Sequence, residues 1–172
     1  EAEWERAARG TDQRVYPWGN QLPDGTKANY ADDTFEQYFP GTGQAHVHKG
    51  VNDGYGITSP VLAFLGGISP VGAYDMAGNL IEWVYDAGYD YEGEETTNPI
   101  NLDGTDRLQR GGFWVGGAGR IGVTPDEIKD GHNIRSDSRE SDGGGSADDH
   151  LGFRIGISYT TRSVITSVIK VR

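Results

Sequence analysis

A chain of 172 residues is long enough for one domain with a sizeable core and too short for two. Its 15 basic and 26 acidic residues give a net charge of −11, which argues against nucleic acid or an anionic membrane surface as the main partner and favours cations, cationic groups or neutral ligands. No cysteine is present, so disulfides, thiolate metal sites and cysteine nucleophiles are excluded. The 27 glycines follow no collagen period and lie among four Trp, nine Tyr and five Phe, which predicts short strands, turns and backbone-rich loops around an aromatic core. No apolar run approaches the ~18–20 residues of a transmembrane helix. The chain begins at Glu1 without a signal-peptide pattern, as expected of a processed or trimmed product.

Glu1 to Arg9 reads as a helix with Trp4, Ala7 and Ala8 on one face and Gly10 as its C-terminal cap. Val15 to Asn20 is a turn-rich aromatic stretch. From Gln21 to Gly56 loop chemistry dominates, and a loop of that length needs a brace such as a bound ion. Val61 to Leu65 reads as a short buried strand, and Tyr74 to Asp86 is the densest apolar and functional stretch. Another loop runs from Ala87 to Asp106, followed by a strand-like segment from Arg107 to Val115. Gly116 to Asp149, rich in glycine, serine and charge, reads as loop. Phe153, Ile155, Ile157 and Tyr159 alternate with polar or small residues, which predicts a half-buried strand. Thr161 to Arg172 carries Val164, Ile165, Val168, Ile169 and Val171, apolar on both faces, and is expected to be a second strand that pairs within its sheet or with a neighbour.

Five blocks then occur in order: Glu1 to Gly10, Tyr16-Pro17-Trp18-Gly19-Asn20, Tyr74 to Trp83, Arg110-Gly111-Gly112-Phe113-Trp114 and Leu151-Gly152-Phe153-Arg154. Together they resemble the formylglycine-generating enzyme, or sulfatase-modifying factor, family. The resemblance covers residues 1–158 and leaves residues 159–172 as a C-terminal β-strand tail. It implies an α+β, mostly irregular, C-type-lectin-like fold with a small twisted antiparallel sheet and long calcium-braced loops. It also implies that the family's segments preceding the first block are missing here. In the copper-dependent enzymes of the family, the strand matching Gly111 to Val115 is followed by two cysteines; their places fall near Gly116 and Ile121. Neither residue forms a thiolate, so the parent activity does not transfer.

Calcium takes six to eight oxygens from carboxylates, amides and backbone carbonyls. By resemblance, one calcium set maps to the Asp75 and Glu82 side chains with the Gly78 and Leu80 carbonyls. A second maps to the Asn29 and Asp53 side chains with the Tyr30 and Tyr55 carbonyls. The bland alternative is that these residues serve turns and surface pairs.

In this fold the region matching Gly116 to Asp149 lines the enzymes' active groove and displays the diversified residues of retroelement variable proteins. Here Trp114, Arg120, Arg135, Asp137 and Arg139 make it the candidate surface for a protein or small-molecule ligand, although the arginines equally suit internal ion pairs. His46-Val47-His48 puts two imidazoles on one face of an extended segment without fixing a third ligand, and Asp148-Asp149-His150 is unremarkable. There is no G-x-S-x-G elbow, P-loop or dinucleotide-binding glycine motif. The reading is a noncatalytic, calcium-stabilised recognition or structural domain of an exported bacterial or phage-associated protein, assembling as a homo-oligomer or through its tail. The alternative is a nonheme-iron or copper oxidoreductase whose ligands lie in a missing segment.

Overall fold

The computed structural model describes residues 1–41, 47–88, 97–115, 134–142, 148–156, 158–160 and 163–165. Helix α1 (Ala2–Arg9) forms as its pattern predicts. Trp4 and Ala8, one turn apart, share the buried face. Glu3 and Glu5 sit in the first turn and Arg6 and Arg9 in the last, each sign favourable to the helix dipole. Gly10, at φ 66°, ends the helix and donates its N–H to the Arg6 carbonyl at 3.0 Å. Helix α2 (Asp33–Tyr38) lies inside the stretch that the sequence presents as loop. It is short and has no readable period, but Asp32 caps it, accepting from the Thr34 and Phe35 N–H groups at 2.7 and 3.2 Å. Among the described residues no helix is long and apolar enough to cross a membrane.

The sheet contains β1 (Ile81–Ala87), β2 (Arg107–Arg110), β3 (Glu140–Asp142) and β4 (Leu151–Gly152), in the order β3-β2-β1-β4. β1/β2 and β2/β3 are antiparallel, but β1 and β4 run parallel, so the sheet is mixed rather than wholly antiparallel. Along β1 the side chains alternate: Glu82, Val84 and Asp86 share one face. On that face the Trp4 indole meets Glu82, and Trp4 and Ala8 join Val84, Leu108 and Met76 in one core cluster. A second cluster gathers Tyr16, Ala28, Tyr30, Ala77 and Ile134, and a third Ala31, Phe35, Val47 and Trp114. β5 (Ser158–Thr160) and β6 (Ser163–Ile165) form a separate antiparallel pair. β5 straddles the expected boundary between residues 158 and 159, and the rest of the tail lies outside the described residues.

One expected strand is not formed and another forms only at its end. Residues 61–65 run through tight turns with Val61, Leu62 and Leu65 exposed, and among the described residues no strand pairs with them. Of the expected strand from Phe153 to Tyr159, Tyr159 lies in β5, whereas Phe153 and Ile155 are outside any strand and exposed; β4 stops at Gly152. There the chain diverts so that Arg154 reaches back to Glu82.

Arg110, at the end of β2, is 1% exposed. Its guanidinium donates to the Ser136, Asp137 and Ser138 carbonyls at 3.1, 3.3 and 2.7 Å, and to Glu5 Oε2 at 2.5 Å. It also stands 5.2 Å from the centroid of the Trp4 ring. One side chain thus ties α1, the sheet and the segment entering β3. Arg110→Ala would leave three carbonyls without their donor and the half-buried Glu5 with Arg9 as its remaining cation. It should destabilise the domain by about 3–5 kcal/mol in a denaturant titration; a loss below about 1 kcal/mol would mean that water replaces the guanidinium.

Candidate functional site

The residues of greatest chemical interest meet where the 28–32 segment crosses the 53–59 and 75–79 loops. Gly78 makes the crossing possible. It adopts φ 72°, and a Cβ there would fall 2.1 Å from the Asn29 carbonyl oxygen, so the close backbone approach requires glycine. The same Asn29 carbonyl accepts from the Asn79 N–H at 2.8 Å. The Asn29 amide nitrogen donates to the Ile57 carbonyl at 2.6 Å and to Asn79 Oδ1 at 3.2 Å. This fixes the amide orientation, leaving Asn29 Oδ1 buried without a hydrogen-bond partner among the described residues. A buried polar oxygen without a donor is uncommon and calls for a ligand or water.

Beside it stands Asp53, buried, accepting the Tyr30 N–H at 3.0 Å and the Tyr55 N–H at 2.8 Å. Its own N–H donates to Asp32 Oδ2 at 2.5 Å, which brings a second buried carboxylate close. Burial, with a smaller push from the Asp32 charge, raises the Asp53 pKa from 3.8 to about 6 against the opposing amide hydrogen bonds. The structure therefore brings Tyr30 and Tyr55 onto Asp53 through their N–H groups, with Asn29 next to Tyr30 in the chain; this is the oxygen-rich corner of the crossing. The residue that spacing did not single out is Asp32. Its signal was present as the helix-capping pattern Asp-Asp-Thr-Phe-Glu.

Asp75 and Glu82 are also brought together, but around a side-chain cation. Arg154 holds both Glu82 oxygens at 2.6 Å and donates to the Tyr74 and Asp75 carbonyls at 3.1 and 2.7 Å. The Trp4 indole adds a bond to Glu82 Oε2 at 2.7 Å. The Asp75 carboxylate accepts the Leu62 N–H at 2.8 Å. A calcium ion bound by Glu82 would have to displace the guanidinium, so this set does not fit the ion in this arrangement, whereas Asn29 Oδ1 and Asp53 have no cation on them among the described residues.

Trp114 packs in the core against Phe35 and Phe39, at ring distances of 5.9 and 5.8 Å, with its indole nitrogen buried and unpartnered. Arg135 makes a fork on Asp137 with both bonds at 2.8 Å, which lowers the Asp137 pKa chiefly through that hydrogen bonding. Arg139 reaches Glu1. Arg120, His46 and the places near Gly116 and Ile121 lie outside the described residues. Asp148, Asp149 and His150 have ligand atoms within 4.8 Å of one another; both acids are exposed, and the His150 ring stacks on Phe113 at 4.4 Å.

Residues 1–158 match the family described as the sulfatase-modifying factor enzyme 1-like domain. The formylglycine-generating enzyme of Thermomonospora curvata is 38% identical over 123 residues, covering 67% of this chain and 37% of that protein. The inactive C-alpha-formylglycine-generating enzyme 2 of Mus musculus is 33% identical over 159 residues, covering 90% of this chain and 40% of that protein. The chain thus spans less than half the length of these relatives. Among solved structures, PvdO from Pseudomonas aeruginosa superposes with a TM-score of 0.57 at 26% identity, over 88% of this chain and 48% of that one.

The raised Asp53 pKa has a consequence for stability without divalent ions. The native state holds this proton more tightly than the unfolded state, so the contribution is present below pH 3.8 and is lost as the pH rises to about 6. Melting measured in chelator should fall across that window because of Asp53, and the slope should be shallower in Asp53→Asn. Equal slopes in the two proteins would show that Asp53 titrates normally.

Proposed function

We propose that this chain, which belongs to the sulfatase-modifying factor enzyme 1-like domain family, is a noncatalytic, calcium-stabilised recognition or structural domain of an exported protein. The observation that carries the reading is the oxygen corner itself: a buried, unpartnered Asn29 Oδ1 beside a buried Asp53 carboxylate, in a chain with no thiolate. Asn29 Oδ1 and Asp53 would hold the ion, with the Tyr30 and Tyr55 carbonyls completing the protein's share. A divalent cation there would satisfy the orphan oxygen and favour the charged form of Asp53, which burial disfavours in its absence. An extracellular setting suits such a site, since extracellular modules bind calcium at roughly 10⁻⁴–10⁻³ M.

The absence of cysteine supports the noncatalytic part. A chain without a thiol has neither a thiolate ligand nor a sulfur nucleophile, whatever else its loops carry. Similarity to a relative named as inactive agrees with this. Recognition would use the 116–149 segment. Trp114 and Ile134, on either side of residues 116–133, are both buried, so a scaffold holds the approach to each end.

Calcium should raise the melting temperature of the chelator-treated chain, equivalent to about 2.7 kcal/mol at a hundredfold excess over Kd. Asn29→Leu and Asp53→Ala should abolish that shift, whereas a shift surviving both substitutions would place the ion elsewhere. Offered a cysteine-containing sulfatase peptide, the chain should produce no formylglycine with or without copper, as read by mass spectrometry; turnover would refute the noncatalytic reading.

A further inference from the structure

A side-chain amide can present a cation with either of two ends of nearly the same shape. One is an oxygen that accepts; the other is an NH2 that only donates and repels positive charge. Asn29 is 1% exposed, so its surroundings in the protein decide which end faces which way. Three backbone groups make that decision, because a peptide N–H only donates and a peptide oxygen only accepts. The Ser59 N–H donates to Asn79 Oδ1 at 2.8 Å, and the Ser59 carbonyl accepts from Asn79 Nδ2 at 3.2 Å. The Asn79 amide is thereby oriented. Its oxygen accepts in turn from Asn29 Nδ2 at 3.2 Å, and the Ile57 carbonyl accepts from the same nitrogen at 2.6 Å. A flipped Asn29 would press its oxygen against two acceptors. Oδ1 therefore points away from both, and no donor among the described residues meets it.

Position 79 has two requirements that few residues meet together. Its φ of 66° lies in the left-handed region, which Asn enters more readily than most residues bearing a Cβ. Its side chain must also offer a donor and an acceptor to the N–H and C=O of one residue. Asp would tolerate the conformation but brings no hydrogen to the Ser59 carbonyl, and Gly keeps only the backbone. That backbone is clamped from both sides. The Asn79 N–H donates to the Asn29 carbonyl at 2.8 Å, and the Asn79 carbonyl accepts the Trp114 N–H at 3.1 Å.

We propose that Asn79 is the positioning residue of the ion corner, holding the Asn29 amide with Oδ1 turned to the cation before the cation arrives. The inference rests on the calcium reading above and adds to it a residue that acts through Asn29 rather than as a ligand. Orienting the amide in advance raises affinity, because binding need not break a hydrogen bond or freeze a rotation first.

Asn79→Gly tests this, since glycine accepts the positive φ and keeps the N–H and C=O that bond Asn29 and Trp114. In the isotope-labelled chain with chelator, solvent exchange of the Asn29 side-chain NH2, read by NMR, should be roughly tenfold faster in the variant, from loss of one hydrogen bond. Calorimetric titration with calcium should show Kd weakened to a similar degree, roughly tenfold. The comparison is then repeated on Asn29→Asp. A carboxylate has oxygen at both ends and needs no orienting, so in that background Asn79→Gly should not weaken calcium binding. Equal weakening in both backgrounds overturns the proposal, as does NH2 exchange that ignores Asn79→Gly. A wild-type chain that binds no calcium refutes the calcium reading and this inference with it; exchange that still responds to Asn79→Gly then marks the calcium reading as the step at fault.

Discussion

The guanidinium of Arg110 is the constraint around which the described fold is arranged. A buried arginine is tolerable only if its charge is matched and most of its donors are satisfied; here Nη1 and Nη2 are bonded, while Nε has no partner among the described residues. Glu5 supplies charge from α1, the Trp4 ring supplies a π face, and three successive carbonyls at Ser136, Asp137 and Ser138 supply acceptors. Each partner is thereby fixed in turn. Carbonyls aimed at one guanidinium set the path of the chain into β3, which pairs with the strand that bears Arg110. Trp4, held over Arg110, is simultaneously close to the Gly111 position, where a Cβ would come within 3.2 Å of its ring, and bonded to Glu82 on β1. Glu82 passes the connection to Arg154 after β4. Helix, sheet and the chain beyond β4 form one continuous polar path through the core.

The same acidic chain thus treats its carboxylates in two ways. Around Glu5, Glu82 and Asp137 a guanidinium meets each acid, and the Asp137 pKa falls accordingly. At Asp53 the groups acting on the carboxylate are burial, two amide donors and a second acid, and its pKa rises. In a fold that matches acids so directly elsewhere, a raised carboxylate beside an unpartnered amide oxygen is the place where an external cation has most to add.

Much of this was legible in the sequence where the information is local. The apolar face of α1 and its terminal glycine announced a helix, and β2 falls within the segment read as strand-like, whereas β1 occupies the end of a stretch distinguished only by its apolar density. What misled was apolar content taken as burial. Val61 to Leu65 has the composition of a hidden strand yet lies at turn corners, and Phe153 and Ile155 alternate without covering a core. Periodicity reports which residues share a face, but not whether anything packs against it. Arg110 and Arg154 were visible as motif letters, but their partners lie 105 and 72 residues away, and no spacing rule spans that distance. The oxygen corner was legible only through family resemblance. The loop lengths between Asn29 and Asp53 carry no metal spacing of their own, and the contribution of Asp32 came from its role as a helix cap.

The described core is held by residues outside the stretch that bears the enzymes' cysteine places. The interactions that hold the described core run through Trp4, Glu5, Glu82, Arg110, Ser136 to Ser138 and Arg154. None of these residues lies between 116 and 133, the stretch in which the enzymes' cysteine places fall by resemblance. At its margins Trp114 packs on Phe35 and Phe39, and Ile134 joins the cluster around Tyr16 and Tyr30. The charge partners of the described network, Glu5 for Arg110 and Glu82 for Arg154, are thus separate in sequence from the positions at which the enzymes' chemistry falls by resemblance.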